Sequence, residues 1–275
     1  MNLAAVNAFY EVRPFPGYAP GDDATALLDR CRASPFLSAL DRAIAPDARV
    51  LEVGCGTGQL SNFLALAAPR RHVLGLDYTR ASLAAADEFR RHAGARNLQL
   101  ARADLFAMPA RAQAFDVVIC RGVVHHTPDP EGAIREVCAR VAPGGHLVLG
   151  FYERVARLPH RLRRAFSRGG NHPIRLLDAV LRRRDLDEDK KRTWIEDQYR
   201  HPLEVSLSFL RVFDLVSSAG FAWVASVPPA PVAGLFDATP LPSRNALRWR
   251  RVEWAWRCVK DEDAGLVCLV ARRAR

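Results

Sequence analysis

The stretch that most constrains this chain is Val50-Leu51-Glu52-Val53-Gly54-Cys55-Gly56-Thr57-Gly58. Val50, Leu51 and Val53 read as a short buried strand. Three glycines follow at alternate positions, and Gln59 to Ala68 reads as a helix. A strand, a glycine turn and a helix in that order bring bare backbone close to a ligand at the carboxyl end of the strand. A dinucleotide-binding turn spaces its glycines G-x-G-x-x-G and aims a helix N-terminus at pyrophosphate. Here the spacing is G-x-G-x-G, and Glu52 stands two residues before the first glycine. A carboxylate there would repel pyrophosphate but favour a ligand carrying ammonium and sulfonium charge. The pattern therefore points to S-adenosylmethionine (SAM) over NAD, with a plain tight turn as the third reading open at this point.

Further acids follow at strand ends. Val73-Leu74-Gly75-Leu76-Asp77 is an apolar run closing on a carboxylate, where an acid can accept both ribose hydroxyls. NAD enzymes use the same device, so Asp77 does not discriminate. Leu98 to Ala103 reads as a third strand with Asp104-Leu105 at its end, where a carboxylate can accept an adenine amino group. Phe115 to Cys120 is a fourth strand, leading into Arg121-Gly122-Val123-Val124-His125-His126. Val141 to Leu149 reads as a turn feeding a fifth.

Taken together, Leu51 to Gly58, Gly75-Leu76-Asp77, Ala103-Asp104-Leu105, Val124-His125-His126-Thr127-Pro128-Asp129-Pro130 and Ala142-Pro143-Gly144-Gly145 resemble a known family over residues 46–152. It is that of the class I SAM-dependent methyltransferases of the ubiquinone/menaquinone-biosynthesis (type 11) kind. The resemblance implies an α/β, Rossmann-like fold: a seven-stranded, mostly parallel sheet with an antiparallel last strand and helices on both faces. It implies SAM as cofactor, bound by Glu52, Gly54, Gly56, Asp77 and Asp104. Cys55, Gly58, Gln59, Tyr78, Leu105, Arg121 and His126, on the same turn and strand ends, complete the expected cofactor set. The resemblance names no methyl acceptor.

The length of 275 residues accommodates one α/β domain with a cap. No stretch approaches the roughly 20 apolar residues that span a bilayer, and the start shows no signal-peptide pattern, so a cytoplasmic protein without a membrane partner is expected. Six cysteines occur without a C-x-x-C pair, which fits a reducing compartment and gives no zinc framework. The formal net charge is +10, yet 37 of the 40 basic residues are arginines. Such a skew reads as compositional bias and a solvated surface as readily as selection for an anionic partner.

Residues 1–45 are expected to form a helical cap. Its aromatic, proline-broken stretch Phe9 to Tyr18 either folds over the cofactor, through Tyr10, Arg13 and Tyr18, or seals the sheet edge. Residues 46–152 are the SAM-binding core. Residues 153–203 form a basic insertion, with arginines 154, 157, 161, 163, 164, 168, 175, 182, 183 and 184. An amphipathic pattern around Leu158 and Leu162 opens it, and Trp194 to Pro202 reads as a pocket wall. Residues 204–275 return to the core with a helix, strands 6 and 7, and a helical insertion at 230–262. In that insertion Trp249, Val252, Trp256 and Val259 recur at helical spacing, read as core packing.

Methyl transfer from a sulfonium is an in-line displacement, so the protein mainly positions the acceptor and excludes water. No metal site is expected. His125 and His126 stand where a base could act. His126, Tyr152, Tyr199 and His201 are the expected acceptor-site residues, serving positioning and proton acceptance. The expected partner is a small-molecule acceptor, an anionic one being admitted by the basic insertion; oligomeric state is not legible. Two alternatives stand beside this reading. One is a nucleic-acid (RNA) methyltransferase gripping phosphate through the insertion, disfavoured because Phe166 alone interrupts its arginines with an aromatic and no Asn/Asp-Pro-Pro-Tyr element occurs. The other is a SAM-binding protein without turnover.

Overall fold

A computed structural model describes residues 3–12, 14–19, 21–166, 172–183, 188–229, 234–260 and 265–275. Seven strands form one sheet in the order β3-β2-β1-β4-β5-β7-β6. They are β1 (Arg49–Val53), β2 (His72–Asp77), β3 (Leu98–Arg102), β4 (Phe115–Arg121), β5 (Val141–Tyr152), β6 (Phe221–Val227) and β7 (Leu266–Arg273). Strands β1 to β5 pair in parallel, and β7 inserts antiparallel between β5 and β6. The order reverses between β1 and β4, so the carboxyl ends of these two strands open a crevice, the usual ligand position in such sheets.

Helices cover both faces because the strand residues alternate. Leu51, Val118, Leu147 and Leu149 pack on one side with α6 (Pro130–Arg140), α10 (Phe209–Ser218) and α11 (Arg244–Lys260). Val50, Val117, Ile119 and Val148 face the other, against α2 (Ala24–Ala33), α3 (Pro35–Ala43), α4 (Gln59–Ala67) and α5 (Arg80–Ala93). A period of two with both faces apolar is what a doubly covered sheet requires.

The N-terminal stretch splits where proline dictates. Helix α1 (Leu3–Val12) ends two residues before Pro14, and Pro35 stands at the first turn of α3, which Ser34 caps through Leu37 N. Residues 14–19 then cross the glycine turn. Pro16 O accepts from Thr57 Oγ1, and Gly17 O accepts from Gln59 Nε2 at 2.9 Å. Glu11 supplies what Thr79 does not: its carboxylate accepts from Arg80 N and Ala81 N, both at 3.0 Å, capping α5. Those two amides hold the Glu11 carboxyl below its usual range.

The insertion carries α7 (Leu158–Phe166), α8 (His172–Leu177) and α9 (Glu188–Tyr199). Its basic character is partly structural. Arg157 is fully buried, forming a bidentate pair with Glu204 (3.1 and 2.8 Å), and Arg163 donates to Cys258 O. Arg13, Arg168 and Arg184 lie outside the described residues. Two expectations need correction. Val141 to Gly145 is not a turn ahead of β5 but its irregular first part, where the register against β4 shifts between Phe115 and Val117. And Trp249, Val252, Trp256 and Val259 are not core: Leu247, Trp254 and Cys258 fill the buried side of α11, and the four face solvent. Helical spacing identifies a stripe, not which side of the helix the core takes.

Candidate active site

A cavity of about 460 Å³ opens at the carboxyl ends of β1, β2 and β4, within the range of small-ligand sites. Its cofactor end is built from the glycine turn. Gly54 and Gly56 take φ of +72° and +54°, a region that side chains disfavour. A Cβ on Gly54 would stand 2.2 Å from Val123 Cγ2, and one on Gly56 2.4 Å from Phe15 O. Gly54 N and Cys55 N donate to Leu76 O, at 2.7 and 3.0 Å, locking the turn onto β2.

Three carboxylates stand at this end. Asp77 accepts from Gly56 N on one oxygen and Thr79 N on the other, both at 2.8 Å. A carboxylate offers about four acceptor positions, so hydroxyls can still be taken. Burial raises its pKa while these amides oppose the rise. Glu52 is buried with Ser61 Oγ as donor. Burial first, then the Asp77 charge, push its carboxyl up to about 8. Asp104 caps a short 3-10 turn (Leu105–Ala107), accepting from Phe106 N at 2.9 Å. Two acids forced upward in one closed space constitute a site asking for positive charge. SAM, cationic at both amino group and sulfur, meets that demand.

Of the expected cofactor residues, Glu52, Gly54, Cys55, Gly56, Gln59, Asp77, Tyr78, Asp104, Leu105, Arg121 and His126 line the cavity. Gly58 does not. It opens α4 at φ +73°, and a Cβ there would meet Ala86 Cβ at 2.7 Å, so its bareness serves helix packing.

The other end of the cavity is walled by Tyr10, His126, Tyr152, Trp194, Asp197 and Gln198. A buried network holds them. Tyr10 Oη donates to Asp197 Oδ1 at 3.1 Å. Gln198 Nε2 donates to Asp197 Oδ2 (2.8 Å) and to Tyr152 Oη (2.9 Å), while Gln198 Oε1 accepts from Arg157 Nη1 (2.8 Å). The Arg157 guanidinium lies 3.6 Å from the Tyr152 ring centroid, a cation–π contact in a desolvated site. Burial raises Asp197 above the usual carboxylate range and Tyr152 to about 12.

His126 Nδ1 lies 2.7 Å from Leu203 O. A carbonyl only accepts, so Nδ1 carries the proton and Nε2 keeps its lone pair. Burial pushes this imidazole well below its ordinary pKa, leaving it neutral. His125 sits behind, accepting from Tyr152 N at 3.3 Å. Tyr199 and His201 do not reach the cavity. Tyr199 Oη donates to Asp178 at 2.6 Å and its ring stacks on His160. His201 backs His126 at 3.7 Å between ring centroids, with burial pushing it down to about 4. Among the aromatic lid residues Tyr10 lines the cavity, whereas Tyr18 stacks on Phe89 at 4.2 Å and seals the edge. The sequence marks Asp197, Gln198 and Trp194 only as part of a wall, since α9 shows no apolar period to assign its faces.

The family described as Methyltransferase domain matches residues 44–198. A ubiquinone biosynthesis O-methyltransferase of Ralstonia nicotianae is 32% identical over 201 residues, covering 72% of this chain and 70% of that one. Another, of Hahella chejuensis, is 39% identical over 123 residues, covering 43% and 48%. The chain spans about half the length of the curated relatives it matches, the Ralstonia protein being covered further. Among solved structures, PKMT2 from Rickettsia typhi in complex with AdoHcy superposes with a TM-score of 0.59 at 13% identity, over 89% of this chain and 55% of that one. Identity that low speaks to the fold alone.

Proposed function

The chain belongs to the methyltransferase-domain family, and from that premise we propose that it transfers a methyl group from SAM to a small-molecule acceptor. The observation that carries this reading is that one cavity has both an acidic end and, apart from it, a polar wall. SAM supplies an electrophilic methyl group on a sulfonium. Asp77 would take the ribose hydroxyls, Asp104 the adenine amino group and Glu52 the positive charge. Tyr10, Tyr152 and Gln198 would orient the acceptor, and Trp194 would exclude water. Asp197, strengthened as a base by burial, is the group placed to receive a proton from the acceptor, while His126 Nε2, weakened as a base by its own burial, would accept a hydrogen bond that orients it. We take residues 1–45 as cap, 46–152 and 204–275 as core, and 153–203 as the acceptor-side insertion. Six buried cysteines, none in a disulfide, support a cytoplasmic setting.

Asp197 is the acid lining the acceptor wall, so a neutral or cationic acceptor fits better there than an anionic one. Structural duty for Arg157 and Arg163 weakens the nucleic-acid alternative. Calorimetry with SAM and with NAD tests the cofactor: binding of NAD in place of SAM overturns the reading. Transfer of labelled methyl from SAM to a metabolite extract, set against transfer to RNA, tests the acceptor class. Once a substrate is in hand, Asp197→Asn should lower kcat at least about ten-fold with SAM affinity kept.

A further inference from the structure

Two neighbouring helices turn apolar residues outward. On α11, Trp249, Val252, Trp256 and Val259 are 74%, 52%, 63% and 43% exposed, and at 100° per residue they share one side of the helix. Helix α7 packs beside α11, Arg163 Nη2 donating to Cys258 O at 2.6 Å. It repeats the inversion, burying His160 while Leu158 and Leu162 stand exposed. Exposed arginines border these side chains: Arg154 and Arg161 near the leucines, Arg248 beside Trp249. The acid Glu253 on α11 is paired with Arg257 at 3.3 Å.

We propose that this face of α7 and α11 docks the protein onto an anionic lipid surface. Tryptophan settles at the boundary between hydrocarbon and water. Aliphatic side chains among arginines match a shallow insertion with lipid phosphates at its rim. The net charge of +10 adds long-range attraction. A second copy of the chain fits less well, because a self-complementary contact would set arginine against arginine. Nucleic acid would leave Leu158, Leu162, Val252 and Val259 without a complement. No helix among the described residues is long and apolar enough to cross a membrane, so the contact is peripheral. Arg251 pairs with Glu153 at 2.6 Å, next in sequence to the cavity-lining Tyr152, which keeps the docked helix close to the acceptor wall.

The test is flotation of the full chain with phosphatidylcholine vesicles, with and without phosphatidylglycerol. Binding is expected to the anionic vesicles, with a blue shift of tryptophan emission. The Trp249→Ser/Trp256→Ser variant should bind roughly ten-fold less or weaker still, and unchanged AdoHcy affinity would verify its fold. Absence of flotation, or flotation that the double variant leaves intact, overturns the proposal. So does a dimer, seen by sedimentation, that the same variant dissolves. None of these outcomes bears on SAM binding, which stands or falls by calorimetry.

Discussion

At the residue scale, Glu52 makes the sharpest claim. Burial pushes its carboxyl up to about 8. A cationic ligand favours the ionised form, so SAM binding at pH 7 should release about one proton. Calorimetry in buffers of different ionisation enthalpy measures this, and Glu52→Gln should abolish it. The same group affects stability: an acid whose folded pKa is raised loses stability as pH climbs from its ordinary range through about 8. The unliganded melting temperature of the wild type should therefore fall across that window more than that of Glu52→Gln. Asp77→Ala should weaken SAM binding by about 2–4 kcal/mol, since it removes charge-assisted hydrogen bonds and frees Gly56 N. All three acids were legible by position: Glu52 interrupts the apolar run before the glycine turn, and Asp77 and Asp104 stand at the ends of the next two strands. Asp197 and Tyr10 were not singled out for chemistry, because their meeting, 187 residues apart, leaves no local signature.

At the element scale, the glycine turn and the segment above it form one unit. A Cβ at Gly56 would strike the Phe15 carbonyl, a backbone atom that cannot swing aside. Gly56→Ala should cost about 1–3 kcal/mol of stability, read as a lowered denaturant midpoint, together with loss of SAM binding. The strands and most helix limits were readable from apolar runs and from prolines at helix starts. Helix α11 marks the limit of such reading. Of its two apolar stripes the one with Trp254 faces the core, where its indole also donates to Pro228 O, a partner periodicity does not encode.

At the scale of the whole molecule, the insertion owes its attachment to a buried charge. Arg157 holds Glu204 and Gln198 while covering Tyr152, so one side chain joins the end of β5 to α9 and the chain beyond it. Arg157→Met should destabilise the protein by up to about 3–5 kcal/mol, because buried Glu204 and Gln198 would lose this partner and only Arg164, at 3.8 Å, would stand near Glu204. Chemical denaturation measures it, and restoring balance with Glu204→Gln in the same chain should recover part of the loss. The sequence showed a basic insertion but not this pair, since arginine-rich text reads the same whether a guanidinium is solvated or enclosed.

The segment between α1 and α2 is fastened to the cofactor turn itself, Pro16 and Gly17 through Thr57 and Gln59, while Glu11 grips the start of α5. The glycine turn and the chain ahead of α2 are thus a single latch. A protease that nicks residues 14–19 should report on the latch from outside, cutting more slowly with SAM added than without it.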